Sequence, residues 1–486
     1  MDKGFKKNIL KSSVSTSVGT ISSMVFQFFS VMIMTRYVSK EEFGIYVLII
    51  VAINFFNLLG GLGLELTMVK SIASENSDER KYILYPVLLL RTITLVILSV
   101  ILLLAGNLFL GYFDESLIKF IPFIAILLIL ANFRDLFYSL LQGLKRFFNY
   151  AAINIVSALL RLALVLSAAL WYKLDIAILI YIELIIAGTS VLLQVFSIPF
   201  KELLNKPPNK DHYKKIINFS FPLYINNMIT FFNGRINIVI IGIYLNSASI
   251  ALFNVAGRIP IALKRLLKSF ILVYFPNLSV LFSKNDKKNA IELISKSLGI
   301  YSVLMMYLVL FAFFFKEEII TLVFSARYAE SSMTFAFLIF NIYLRGLADL
   351  MGYSFIPAGY PKIAAIVNSV GGVESISCSI LFIPIWGFIG AAYALIIMNI
   401  ISMIMYYIFL ARYKIKPNLK EFLLPIILLL SIAGSYQLIG YYHISIRIFF
   451  IFGSIILSWI SLKEFRELSK SALKLIQNYF FQKSSA

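Results

Sequence analysis

Charge is scarce in this chain of 486 residues: 14% are Asp, Glu, Lys or Arg, against about 25% in ordinary soluble domains. That excludes a conventional soluble fold. Cysteine is almost absent, with Cys378 alone, so no intrachain disulfide can form. The two histidines, His212 and His443, lie far apart in the chain, which argues against metal catalysis and a Ser/His triad. No P-loop pattern occurs, so the chain does not hydrolyse ATP through a Walker site. No cofactor is expected. Nor are there long loops or short alternating segments, which argues against an attached soluble domain and against a β-barrel. The basic start, MDKGFKKNILK, precedes an apolar stretch too long for a signal-peptide core, so a retained first helix is expected.

What is present is apolar sequence, 60% of residues. It comes in runs of about 20 residues, the length that crosses a bilayer as a helix. Fourteen such spans can be placed, from 13–34 to 443–462. The eighth, 248–281, is too long for one perpendicular crossing, and Pro260 and Pro276 are expected to kink it or release its end to the surface. The sequence thus predicts an all-α polytopic membrane protein.

The net charge of +20 does not indicate a nucleic-acid partner. Of 44 Lys and Arg residues, 28 fall in one alternate set of loops and only 7 in the other. The positive-inside rule makes the first set cytoplasmic, with both termini on that side. The halves also correspond weakly. Arg36-Tyr37-Val38-Ser39 before Phe43-Gly44-Ile45-Tyr46 is matched by Tyr244-Leu245-Asn246-Ser247 before Ile250-Ala251-Leu252-Phe253, and Ala151-Ala152-Ile153 by Ala364-Ala365-Ile366. Six spans per half is even, so the halves insert in the same orientation and set a cavity between two bundles. The expected organisation is an N-terminal lobe at 1–200, a cytoplasmic linker at 201–216, a C-terminal lobe at 217–410, two extra spans within 411–462, and an amphipathic cytoplasmic tail at 463–486 that suits a membrane surface.

Nine cations remain, all inside spans: Arg91, Arg134, Arg161, Arg235, Arg258, Lys264, Arg265, Lys268 and Arg345. Facing lipid, nine would cost about 20–30 kcal/mol, more than the roughly 5–15 kcal/mol stability of a typical fold. They therefore pair, reach a surface, or line a wet cavity suited to an anionic cargo. Arg345 has Asp349 one turn on, which reads as a structural pair. Arg134 and Asp135 are sequence neighbours expected to point apart, and Arg134 lies near enough to the cytoplasmic end to snorkel. Arg258, Arg265 and Lys268 share a face of span 8, either as a snorkelling inner end or as a basic funnel. Arg91, Arg161 and Arg235 have no acid within one turn and read as stranded at depth. Glu183 and Glu374 are membrane-embedded acids, candidates for ion coupling or counter-ions to the arginines. The repeat offset matches Arg161 to Glu374, so they form either a pair across the lobes or separate cargo and ion sites.

Several motifs carry a resemblance. They are Arg36-Tyr37-Val38 with Glu42-Phe43-Gly44-Ile45-Tyr46; Gly61 to Gly63 before Lys70-Ser71-Ile72-Ala73; Phe275-Pro276-Asn277-Leu278-Ser279; and Pro384, Trp386-Gly387 and Gly390-Ala391-Ala392. In order and spacing over spans 1–12 the chain resembles the polysaccharide-transport flippases, exporters of O-antigen or capsule repeat units in the multidrug/oligosaccharidyl-lipid/polysaccharide superfamily.

The resemblance implies a cargo of undecaprenyl-diphosphate-linked oligosaccharide, made at the inner leaflet of a bacterial cytoplasmic membrane and needed on the outer one. It implies alternating access, driven by H+ or Na+ or by downhill flux. Polymerase and chain-length proteins of the same pathway are the implied partners. A planar arginine fork suits a diphosphate. Candidate sugar partners are Ser13, Ser15, Thr16, Ser17 and Gln27, Asn54 and Asn57, and Asn226, Asn227, Asn233 and Asn237. A lipid II flippase and a multidrug exporter are sibling readings, although nine cations would repel a cationic drug. A membrane polymerase or glycosyltransferase would need a large outer loop, which this chain lacks.

Overall fold

In the computed structural model every regular element is helical among the described residues, which are 3–73, 82–111, 115–203, 210–439, 444–462 and 466. The helices, in chain order, are α1 Lys3–Tyr37, α2 Lys40–Gly61, α3 Leu64–Ala73, α4 Leu84–Leu110, α5 Ile121–Gly143, α6 Phe147–Trp171, α7 Ile176–Ser197 and α8 Lys210–Tyr244. They continue with α9 Ser247–Ser283, α10 Lys287–Phe314, α11 Lys316–Val323, α12 Ser332–Ser354, α13 Pro361–Trp386, α14 Ile389–Arg412, α15 Leu419–Ile439 and α16 Ile444–Ser461. The tail expected at 463–486 lies outside the described residues, Arg466 excepted.

Local chemistry sets the helix ends. Ser39 caps α2 by accepting from the Glu42 amide at 3.2 Å, while its hydroxyl donates to the Glu42 carboxylate at 3.1 Å. Asp175 and Asp286 cap α7 and α10 in the same way. The α13–α14 joint turns on Gly387, whose φ of 66° is readily reached only by glycine. Pro260 and Pro276 do not interrupt α9, and Pro222 does not interrupt α8.

Eleven helices among the described residues are long and apolar enough to cross a membrane, so the chain is a multi-pass membrane protein. The other three expected spans coincide with shorter apolar stretches, Gly234–Tyr244 in α8, Val273–Ser283 in α9 and Phe449–Ser461 in α16. The reason is visible in two of them. Helix α8 carries Arg235 and several asparagines, and α9 carries Arg258 and Lys264, so polar groups shorten the apolar run.

The chain forms two compact units: Met1–Asn254 with Val323–Ser325, and Val255–Leu322 with Ala326–Ala486. In the first, α1 lies along α6, α5 packs on α2, α3, α4 and α7, and α8 lies on α2 and α3. In the second, α14 packs on α12 and α13, while α10 packs on α12 and α15.

Helix association in lipid depends on close packing rather than on escape from water, so small residues matter at the contacts. Gly44 of the α2 motif is one such point. A Cβ there would sit 1.7 Å from the carbonyl oxygen of Ser247, a backbone atom that cannot swing away. Gly63 is another, with φ 71° and a would-be Cβ 2.4 Å from the Ser220 carbonyl oxygen of α8. Gly188 has open space around it.

Gly44→Ala should therefore lower the unfolding midpoint of the detergent-purified protein, with a loss of at least about 1–3 kcal/mol from overpacking. Gly188→Ala should leave the midpoint unchanged or raise it. Equal midpoints for wild type and Gly44→Ala would remove the packing role of Gly44.

Candidate functional site

The polar groups of the first unit collect at helix contacts. Arg161 of α6 places its Nη2 2.6 Å from Glu183 Oε2 of α7. The other oxygen of Glu183 accepts the Tyr46 hydroxyl of α2 at 2.7 Å. Glu183 is buried, and Arg161 is partly exposed. Glu183, a candidate for ion coupling or for a counter-ion, is thus the counter-ion of Arg161, which reads as stranded in the sequence.

A signal for this pair exists in the sequence, although the one-turn search overlooks it. Arg161 lies ten residues before the end of α6, and Glu183 seven after the start of α7. At 1.5 Å per residue these depths are about 15 Å and about 10 Å from a short connection. A long arginine side chain spans the difference.

Arg91 is also not stranded. It is fully buried in α4 and forms an ion pair and hydrogen bond with Glu65 of α3. Glu65 was missed because it lies 26 residues earlier and outside the helix that carries Arg91. Among the described residues no acceptor meets the Nε or Nη1 of Arg91. Gly61 makes room for this side chain, since a Cβ there would lie 3.2 Å from Nη1.

Arg134 and Asp135 do not point apart. The guanidinium folds back, with Nη2 3.1 Å from Asp135 Oδ1, because its stem is long enough to reach the next side chain. The Arg134 carbonyl accepts the Gln194 amide at 3.1 Å. Asn57 accepts a hydrogen bond from Asn132 of α5, so its carbonyl is already engaged inside the unit.

Arg235 is different. It is half-buried in α8, and among the described residues no ion pair or hydrogen bond to it is found. Its neighbour Gly234 has no atom within 4 Å of a would-be Cβ, so there is open space beside it. Phe55, Phe231 and Phe232 form an aromatic cluster on α2 and α8, with centroids 5.7–6.3 Å apart.

In the second unit, Arg345 Nε lies 2.9 Å from Asp349 Oδ1. Both line a cavity of about 40 Å³ with Lys264, Tyr301 and Tyr353. Tyr301 packs over Gly346 and donates to the Ile342 carbonyl at 3.1 Å. Glu374 accepts the Cys378 thiol at 3.3 Å, while no donor among the described residues meets its buried Oε2. Arg258 is half-buried on α9; the side chains of Arg265 and Lys268 lie outside the described ones. Asn341 and Asn399 are joined by an amide hydrogen bond between α12 and α14.

Among the described residues no group of three or more His, Cys, Asp or Glu side chains could hold a metal ion. Paired charges, amide bridges and an unmatched arginine on membrane helices suit the handling of a polar solute.

Comparison with solved structures gives the fold. The fold is that of the lipid II flippase MurJ in an inward closed conformation, at a TM-score of 0.73 and 18% identity, over 94% of this chain and 99% of that one. It is also that of an inward-facing multidrug resistance MATE transporter, at a TM-score of 0.63 and 14% identity, over 83% of this chain and 98% of that one.

Residues 33–333, more than half of the chain, match the polysaccharide biosynthesis protein family, and the chain belongs to that family. The MATE transporter above is described as a member of the MOP superfamily, so the chain shares its fold with transporters of that group. A relative in Haloferax volcanii, a probable low-salt glycan biosynthesis flippase named Agl15, is 24% identical over 395 residues, 80% of each chain.

Removing Arg161 leaves Glu183 buried beside a neutral neighbour, and breaking a buried pair costs about 3–5 kcal/mol. Arg161→Leu should therefore destabilise the protein, and Arg161→Leu with Glu183→Leu should recover most of the loss. Thermal unfolding of the single and double variants decides it; strictly additive losses would mean that the two side chains do not act as a pair.

Proposed function

We propose that the chain is a flippase that carries an isoprenoid-diphosphate-linked oligosaccharide from the inner to the outer leaflet by alternating access. In a bacterial cytoplasmic membrane the carrier is undecaprenyl diphosphate, and the glycan is an O-antigen or capsule repeat unit. The observation that carries this reading is Arg235, a half-buried cation on a membrane helix with no ion pair among the described residues and open space at its side. A guanidinium at such depth costs several kcal/mol unless an anion meets it. A diphosphate offers oxygens at the spacing of its fork. Family membership and the likeness to a glycan flippase support the same cargo.

The other cations then take secondary roles. Arg161 contacts cargo only by leaving Glu183, so their pair works as an exchange partner during transport. Arg134, Arg258, Arg265 and Lys268 attract the diphosphate toward the cytoplasmic mouth, and Arg91 with Glu65 holds α3 and α4 together. Glu374 is the stronger of the two coupling candidates. One of its oxygens has no donor among the described residues, whereas both oxygens of Glu183 are engaged. The coupling ion is H+ or Na+. Fourteen spans with both termini cytoplasmic, in lobes 1–200 and 217–410, complete the arrangement. Polymerase and chain-length proteins receive the product.

Transport of lipid-linked glycan, read as surface glycan display in a strain whose only copy is the variant, tests Arg235. One charged hydrogen-bonding contact is worth about 1.5–3 kcal/mol, so Arg235→Ala should lower display roughly 10–100-fold at unchanged abundance. Arg235→Lys should retain part of it, because a point charge replaces the fork. Full display in Arg235→Ala would remove this residue from cargo binding. A thiol placed by Arg235→Cys in a Cys378→Ala background should react with a water-soluble maleimide; no reaction in any state would argue against a wet cavity there.

A further inference from the structure

A second cationic feature of the first unit belongs to none of the membrane-depth groups. Where α3 meets α8 there is a cavity of about 210 Å³. Its wall includes Lys70 and Ser71 from α3, Tyr82 just before α4, and His212, Lys215 and Phe219 from α8. None of its lining residues is acidic. Neither lysine forms an ion pair among the described residues. Lys70 is held over the Phe219 ring, with Nζ 3.8 Å from the centroid. The His212 and Tyr82 rings lie against one another, with centroids 4.5 Å apart.

This is an unusual place to gather two exposed ammonium groups. Like charges on one small wall repel one another, and no carboxylate among the described lining residues balances them. An anion seated between them would remove that repulsion, and the Ser71 and Tyr82 hydroxyls supply further donors. The cavity is smaller than the roughly 300–1,000 Å³ that encloses a whole drug-sized ligand. It admits one phosphate-sized group and leaves the rest of the molecule outside.

Apolar side chains are exposed on the same two helices: Leu66, Ile217 and Phe221 at 50%, 48% and 60%, each within four residues of a lining position. A cationic cavity on helices that also expose apolar side chains suits an amphiphile better than a free ion. The loop charges put this end of the unit at the cytoplasmic leaflet, where anionic lipids concentrate and basic side chains are attracted to them.

We propose that this cavity binds the phosphate group of a membrane lipid, with Lys70 and Lys215 as the charged ligands and the Ser71 and Tyr82 hydroxyls as additional donors. The site is separate from Arg235 and does not depend on the flippase reading, since an anionic lipid held here stabilises the α3–α8 contact whatever the cargo.

The test titrates the full-length protein in detergent with three probes: dioctanoyl phosphatidic acid, dioctanoyl phosphatidylcholine and inorganic phosphate. Saturable binding of phosphatidic acid is expected. It should weaken at least about tenfold in Lys70→Gln with Lys215→Gln, and survive in Lys70→Arg with Lys215→Arg. Phosphatidylcholine and inorganic phosphate should each bind at least about tenfold less tightly than phosphatidic acid. Both lysines are exposed, so the glutamine variant should keep the wild-type unfolding midpoint; if it does not, Lys215→Gln alone carries the comparison. Affinity unchanged by the glutamine substitutions places the lipid elsewhere and overturns the assignment. So does inorganic phosphate binding as tightly as the lipid, which would make this a free-anion site. Arg235→Ala should leave the phosphatidic acid affinity unchanged.

Discussion

Arg161, Glu183 and Tyr46 join three helices of the first unit through one buried carboxylate. The constraint behind this cluster governs the whole chain. A charge in a membrane helix has to be met by an opposite charge, by hydrogen-bond donors or acceptors, or by water. The structure meets it differently at the cations whose partners are described. Arg91 takes Glu65 from the short helix α3, Arg134 turns back on Asp135, and Arg345 takes Asp349 one turn along. Each pairing also ties elements together or stiffens one, so solving the electrostatic problem helps define the fold.

The same constraint separates structural charge from working charge. A paired arginine already has its anion, and in the proposed transport role cargo would have to compete with a neighbouring carboxylate to reach it. An arginine with no ion pair among the described residues, such as Arg235, has no such anion to give up. This reverses the ranking that depth alone suggests. Arg161 is central in its helix and looks the most costly, yet Glu183 neutralises it. Arg235 sits among asparagines in a helix whose apolar run is short, and no carboxylate among the described residues pairs with it.

Close approach of helices is the second requirement. Gly44 and Gly63 let backbone carbonyls come within what would be clashing distance of a side chain. Both lie in the motif segments that carry the family resemblance, so those motifs record packing at least as much as transport. Tyr301 over Gly346 is the corresponding contact in the second unit.

The class was legible from the chain alone. Apolar runs of about 20 residues and a scarcity of charge dictate membrane helices, since only helices satisfy every backbone group in lipid without closing a barrel. The cations inside them, the capping serine at Ser39 and the glycine turn at Gly387 could likewise be read locally, because each depends on residues a few positions apart. Partnership within one helix could be read too, as Arg345 with Asp349 shows, whereas most partnership between helices could not. Glu65 reaches Arg91 across 26 residues, Glu183 reaches Arg161 across 22, and Tyr46 reaches Glu183 across 137. Lys70 and Lys215 share a wall only because α3 lies on α8. Sequence determined which helices form and that their charges need partners, because helix formation and desolvation cost are properties of short segments. The tertiary structure alone decided which charges find partners on other helices, because that depends on which helices become neighbours.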